Sequence, residues 1–252
     1  FTNEDRDYDR LRKRVFLNLG MEYYFNDEAS FTISGFTRNS DNLSNNSTII
    51  QDLGQNKEIL NEFGRFQDEE EDDISSQLTL NFTKKFNKKG HELVIEFQTE
   101  ESTEDESDYA SNTNTFDQSS TTGETQQRNL LQLDYIYPID KNTQFELGYR
   151  GNFSDLNTDY NVLDILNNIT TRNLNLSNIF VFNQDVNAYY TQFGNKINKF
   201  SYLLGLRAET TNLQFNQKTS QESNQKKYTD LFPTVNLSYE FSNSENITLG
   251  YS

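Results

Sequence analysis

The sequence predicts an all-β protein, an antiparallel up-and-down transmembrane β-barrel, and three observations carry that prediction. Apolar and polar residues alternate with period 2 along segments of about ten residues. The connections between those segments alternate too, a short turn followed by a long polar stretch. Only 33% of the 252 residues are hydrophobic, yet 13% are aromatic, with 20 Phe, 14 Tyr and no Trp. A water-soluble domain of this length fills its core with more apolar residues than that. A barrel wall needs them only at every second strand position, because its loops and lumen are polar.

Composition narrows the function. A formal net charge of -17 argues against nucleic acid as a partner, since phosphate binding needs a basic face. With no cysteine, the chain has no disulfide framework, thiolate metal site or cysteine nucleophile. Two prolines leave the strands free to run long. No run approaches the roughly 18 apolar residues of a membrane-spanning helix. Phe1 begins in a polar segment without a signal peptide, and Ser252 falls in mid-alternation, as expected of a piece of a longer barrel.

Taken in order, residues 1–10 read as the end of a loop. The first strand puts Val15, Leu17, Leu19, Met21, Tyr23 and Phe25 on one face, with Arg14, Asn18, Gly20, Glu22 and Tyr24 on the other and Phe16 as an exception. After the turn at 26–28, Phe31, Ile33 and Gly35 oppose Thr32, Ser34 and Arg38. Residues 39–73 read as a long loop ending in the acid run 68–73. The unit then repeats. Ile74, Leu78, Leu80, Phe82 and Phe86 lead to a turn at 87–90, and Leu93, Ile95 and Phe97 return opposite Glu92, Val94, Glu96 and Gln98. Residues 99–127 read as a second long loop.

In the third unit Leu131, Leu133, Tyr135, Tyr137 and Ile139 oppose Leu130, Gln132, Asp134 and Ile136. Pro138 stands at the strand end, where its missing N–H does least harm. The turn 140–142 follows, then Phe145, Leu147, Tyr149 and Phe153 against Gln144, Glu146, Arg150 and Asn152. Residues 154–178 read as a loop whose apolar patch (Val162, Leu163, Ile165, Leu166) is either a helical turn or an extended strand. In the fourth unit the facing of the first strand is ambiguous, with Val186, Ala188 and Tyr190 competing against Tyr189, Thr191 and Phe193. Its second strand is clear: Phe200, Tyr202, Leu204, Leu206 and Ala208 against Ser201, Leu203, Gly205, Arg207 and Glu209. The fifth unit sets Val235, Leu237, Tyr239 and Phe241 against Thr234, Asn236, Ser238 and Glu240, turns at 242–245, and returns through Ile247, Leu249 and Tyr251.

The result is about ten strands, each about 9–11 residues long, the length that crosses a bilayer when tilted. All short turns fall on one rim, and the long loops centred near residues 55, 115, 165 and 220 fall on the other, facing outside. A soluble β-sandwich also alternates. It does not sustain alternation this long, nor gather Tyr23, Phe25, Phe86, Tyr135, Tyr137, Phe193, Phe200, Tyr239 and Phe241 beside its short turns, where an interfacial girdle belongs.

Three blocks carry a resemblance. Ala188-Tyr189-Tyr190, Lys199-Phe200-Ser201-Tyr202 and Gly205-Leu206-Arg207-Ala208-Glu209-Thr210 form the first. Asp230-Leu231-Phe232-Pro233-Thr234-Val235-Asn236-Leu237-Ser238-Tyr239 is the second, and Leu249-Gly250-Tyr251-Ser252 the third. Together they resemble the barrel of TonB-dependent receptor-like outer-membrane proteins of the Bacteroidetes type. The blocks cover the last quarter of the chain; the rest matches in style, with acidic, Asn-rich loops and aromatic strands. The resemblance implies a parent barrel of about 22 strands, occluded by an N-terminal plug domain and energised through the TonB protein. Residues 1–252 are then part of one outer-membrane β-barrel domain, with the plug and the remaining strands outside this sequence.

The candidate substrate-binding residues are Arg207, Glu209, Arg150 and Glu146, all on the polar face. The plain alternative for each is an ion pair inside the wall, because lumen faces are routinely polar. Glu92, Glu96 and Glu240 are further lumen candidates. No nucleophile accompanies these carboxylates, so no catalytic residue is expected and the chain is not read as an enzyme. The acid runs 68–73 and 100–108 lack EF-hand spacing and read as solvated loops rather than calcium sites. His91 reads as an exposed residue beside a turn. No metal site and no cofactor is expected. The expected partners are outer-membrane lipid, the plug and TonB complex, and a small ligand of unassigned identity. Uptake across the outer membrane of a Gram-negative bacterium is the first reading; a structural or adhesive barrel without active transport is the second.

Overall fold

A computed structural model describes residues 1–113, 116–242 and 245–251. It contains β1 (Thr2–Asn26), β2 (Ala29–Leu53), β3 (Ile59–Lys85), β4 (Glu92–Asn112), β5 (Asp117–Pro138), β6 (Thr143–Leu166), β7 (Ile169–Arg172), β8 (Asn178–Ile197), β9 (Phe200–Gln217), β10 (Glu222–Ser242) and β11 (Glu245–Tyr251). They form one antiparallel sheet in the order β1-β2-β3-β4-β5-β6-β8-β9-β10-β11, with β7 paired to β6. Apart from the β6–β8 pairing, which passes over the short β7, each strand pairs with the next along the chain, the up-and-down topology that the alternation predicts. Ten strands lie along this path and β7 is an eleventh.

The strands are far longer than expected. β1 and β2 have 25 residues each and β3 has 27. Crossing the membrane takes only about 9–11. The polar stretches 39–73 and 99–127 are therefore not long loops, and residues 1–10 are not a loop end: β2 and β3 run through 39–53 and 59–73, β4 and β5 through 99–112 and 117–127, and β1 starts at Thr2. Their Ser, Thr, Asn and acidic side chains cannot enter lipid. They still pair backbone to backbone, because the ladder satisfies N–H and C=O whatever the side chain. The positions of the far turns are nonetheless those expected. Strands reverse at 54–58, at 167–168 and at 218–221, and β4 ends at Asn112 with β5 starting at Asp117. Residues 114 and 115 of the loop expected near 115, residues 243 and 244 of the turn expected at 242–245, and Ser252 lie outside the described residues. Asn167 and Asn168 have φ of 51° and 64°, the left-handed pair that a two-residue hairpin needs.

The apolar patch at 162–166 resolves as strand. β6 pairs with β8 up to Tyr160 and with β7 from Leu163 onward. Between β7 and β8 the chain makes a small detour at 173–177. There Asn173 Oδ1 accepts from the Asn175 and Leu176 N–H groups, and Ser177 Oγ accepts from the Val162 N–H at 2.9 Å.

Register fixes the two faces. Directly opposite residues share a face, and Tyr149, Tyr189, Ala208 and Leu231 form one such row. This settles β8: Tyr189, Thr191 and Phe193 join the apolar face, while Ala188 and Tyr190 join Arg207 and Glu209. A second layer is missing from the described residues. Among the described residues only Ala29, Ala110, Val162 and Ala188 are buried hydrophobics, whereas Leu19 is 65% exposed, Leu147 49% and Leu249 70%. A soluble sandwich would cover these side chains with another sheet. In this single sheet they stand open on one face.

Candidate functional site: the polar face of the wall

On the polar face, the middle of β5, β6, β8 and β9 brings together a network that strand spacing alone does not show. Arg207 and Glu209, two positions apart on one face, form an ion pair at 2.6 Å. Opposite Arg207 in β8 stands Tyr190, and opposite Tyr190 in β6 stands Gly148. A Cβ on Gly148 would collide with the Tyr190 ring. The glycine therefore lets Tyr190 lie across β6 and donate its hydroxyl hydrogen bond to Asp134 of β5. Gln132 Nε2 donates to the other Asp134 oxygen at 2.7 Å, and Arg150 Nη1 donates to Gln132 Oε1 at 3.3 Å.

These residues border a concavity of about 250 Å³ lined by Arg150, Arg207, Tyr190, Gln192, Phe232 and Thr234, among others. Of the four expected residues, Arg150 and Arg207 come together here, and Glu209 serves Arg207. Glu146 does not join them. It lies toward the short-turn rim, where Gln144 Nε2 donates to it at 2.6 Å. Glu240 is held by Lys196 at 2.6 Å, and Glu96 stands in register beside Gln132. Tyr190, Gly148 and Asp134 were not singled out from sequence. The signal was present in the ambiguous facing of β8, but only its register with β9 and β6 gives those residues a shared purpose. With the Tyr190 O–H given to Asp134, the concavity offers guanidinium N–H donors of Arg150 and Arg207 and the Thr234 hydroxyl to a polar or anionic group.

The acid runs also need correcting. They are strand rather than loop, and they face each other. Glu71 stands opposite Glu106, Asp73 opposite Glu104, and Asp72 opposite Asp105. On the polar face, partial burial raises the Glu104 carboxyl above its usual range, and Glu71, Glu124, Glu106 and Asp73 push it the same way. Burial raises Glu106 likewise, with Glu69, Asp108 and Glu71 adding to it. Arg38, at 2.6 Å from Asp73, and Arg128, at 3.8 Å from Glu100, flank the ladder. On the other face Glu70, Asp72, Asp105 and Asp159 line a concavity of about 770 Å³ with Arg172. Among the described residues no three acids or histidines gather in a metal-binding group. His91 is half-buried rather than exposed, with its ring stacked on Phe86.

Residues 84–252 match a family model described as an outer membrane protein beta-barrel family. The chain belongs to that family. It is thus an outer-membrane barrel wall, and its apolar face contacts the lipid of a Gram-negative outer membrane. Solved structures share the fold at low identity. Ferric citrate transporter FecA, unliganded, matches at TM-score 0.53 and 12% identity over 98% of this chain and 43% of its own. The ferric-catecholate import receptor Fiu of E. coli K12 matches at 0.51 and 8%, over 98% and 49%. The siderophore receptor PiuA of Acinetobacter baumannii matches at 0.51 and 8%, over 94% and 47%. The chain thus spans less than half the length of each. A comparison with curated proteins gave no significant match.

Proposed function

We propose that this barrel wall belongs to a TonB-dependent receptor of the Bacteroidetes type that takes up a small substrate across the outer membrane. On this reading residues 1–252 are part of one barrel domain of about 22 strands, and a plug domain encoded elsewhere in the same polypeptide occupies the lumen. The TonB complex supplies the energy. Arg150, Arg207, Glu209 and Tyr190 then face the plug or the substrate path, and Glu146 faces the lower lumen. The reading includes no catalytic step. The observation that carries it is the fold likeness to three iron-compound receptors along nearly the whole chain, long polar strand extensions included. The substrate class is a siderophore, a sugar or a peptide fragment.

The test compares spent medium from wild type, a strain lacking the full-length protein, and a strain lacking TonB. Uptake predicts the same compound left unconsumed in both mutants. The second reading, an adhesive barrel without active transport, draws on the long acid-lined hairpins standing above the membrane. It predicts unchanged consumption but weaker attachment.

A further inference from the structure

At the short-turn end of β3, β4 and β5 a cluster of rings has no part in the polar network. Phe86 stacks on His91 at 4.0 Å, and His91 meets Tyr135 and Tyr137 edge-on at 5.3 and 5.1 Å. His91 Nε2 lies 2.9 Å from Tyr135 Oη. Tyr135 and Tyr137 alternate in step with Leu131 and Leu133, so the cluster ends the lipid-facing band. Lys88 Nζ lies 5.3 Å from the centre of the Tyr137 ring and donates to the Ile139 carbonyl at 2.7 Å. An ammonium has further N–H donors beyond that one. Lys88, Lys89 and Lys141, from two adjacent turns, line one cavity of about 1050 Å³ that reaches around the rim from Ile139 on the lipid side to Gln144, Glu146 and Leu203 on the polar side. Residues 84–91 hold four lysines and no acid, in a chain of net charge -17.

We propose that this ring-and-lysine cluster binds the headgroup phosphate of an anionic phospholipid in the leaflet at the short-turn rim. Amphipathic rings settle at headgroup depth, where the polar tips of Tyr135 and His91 meet water and their faces meet acyl chains. Lys88, lying over a ring at that depth, meets a phosphate without leaving the wall. Two acids border the cavity; Glu146 stands on its polar side and accepts from Gln144 Nε2 at 2.6 Å, and Asp140 is turned to its own loop. It accepts from the Asn142 N–H at 2.8 Å and from Thr143 Oγ1 at 3.0 Å. Those bonds, with a smaller contribution from Lys88, hold its carboxyl below the usual range. The three lysines outnumber the two acids. The occupant is a lipid rather than a soluble anion because the ring cluster is continuous with the lipid-facing band. The inference rests on the outer-membrane placement and not on transport.

The test uses the full-length protein in lipid nanodiscs of phosphatidylethanolamine containing some phosphatidylglycerol, with retained lipids counted by native mass spectrometry. Phosphatidylglycerol is expected to be retained in preference, by about fivefold for each lysine engaged. Lys88→Gln reduces the preference and Lys88→Gln/Lys89→Gln/Lys141→Gln abolishes it. Lys226 lies 5.2 Å over Tyr228 near the far end of β10, so Lys226→Gln is a matched control expected to change nothing. Barrel folding is checked by heat-modifiable gel mobility. If the triple variant does not fold, Lys88→Gln against Lys226→Gln decides. No preference, a preference that survives in the folded variant, or an equal loss in the control overturns the proposal. Displacement of the lipid by inorganic phosphate alone overturns the assignment to a lipid.

Discussion

The two ends of the β3–β4 hairpin have opposite chemistry on the same backbone. Near the short turn its outward residues are Leu80, Phe82 and Phe86 opposite Phe97, Ile95 and the loop carrying His91, with four lysines at the tip. Beyond about residue 74, Asp72, Glu71 and Glu69 stand opposite Asp105, Glu106 and Asp108. The ladder runs unbroken through both. Strand pairing here is indifferent to side-chain polarity; only the surrounding medium changes, from acyl chains to water. Like charges directly opposite normally weaken a sheet. The acidic end is held because its register is inherited from the end embedded in lipid and because water screens it.

The strongest way to break this comparison is to put the same charge at both ends. Leu80, between Ile33 and Phe97 on the lipid face, changed to Arg should cost about 2–4 kcal/mol. Asp72→Arg, between Asp41 and Asp105, should leave stability unchanged or raise it slightly. Unfolding of the full-length protein in lipid vesicles checks both. Equal losses at the two sites would mean that the acidic end is not in water.

The next effect belongs to the polar network. Gly148→Ala places a methyl against the Tyr190 ring, forces Tyr190 off Asp134, and should cost about 1–3 kcal/mol. Tyr190→Phe keeps the ring and loses only the hydroxyl, so it should cost less. Near-equal effects of the two changes would show that the hydroxyl bond, and not the ring's path across β6, holds the network.

Much of this was legible in the sequence. Alternation at Val15–Phe25 and Phe200–Ala208 was enough to place strands and faces, because lipid imposes a strict apolar period on one side. The turn positions were legible from Asn-Asp-Glu, Asn-Lys-Lys-Gly and their kin. The strand ends were not. Above the membrane both faces meet water, so nothing forces a period, and Ser, Thr and acid-rich segments look alike as loop or ladder. The site was half legible. Arg207 and Glu209 share a face by spacing, but joining Arg150, Gln132, Asp134 and Tyr190 depends on the register of four strands. Glu146 shares that face but stands nearer the short turns, a difference in height along the barrel that facing alone does not show.

The acidic ladder gives a smaller effect with a definite sign. Glu104 and Glu106 have carboxyls raised in the fold, by burial and then by neighbouring carboxylates. A raised folded value means that the protonated form is favoured by folding. The far hairpin should therefore tighten as pH falls through the window from the raised values down to the ordinary carboxylate value, and loosen as pH rises through it. Amide hydrogen exchange in β4, corrected for the intrinsic pH dependence, should show more protection at the lower pH. Glu104→Gln/Glu106→Gln should confer that protection at neutral pH and flatten the dependence. Protection that instead rises with pH would contradict the burial of these two groups.

The smallest effect should come from Arg207. Its pair with Glu209 is short, at 2.6 Å, but both side chains are partly open, at 33% and 26% exposure. Pairs of this kind contribute about 0.2–1 kcal/mol, so Arg207→Gln should barely alter unfolding. If Arg207 only braces the wall, uptake by the full-length protein should be as little changed as stability. If it faces the substrate path, Arg207→Gln should lower uptake while the barrel stays as stable as before, and Arg207→Lys should restore part of it. That divergence between stability and uptake separates a lumen site from a wall brace, which the short ion pair alone does not do.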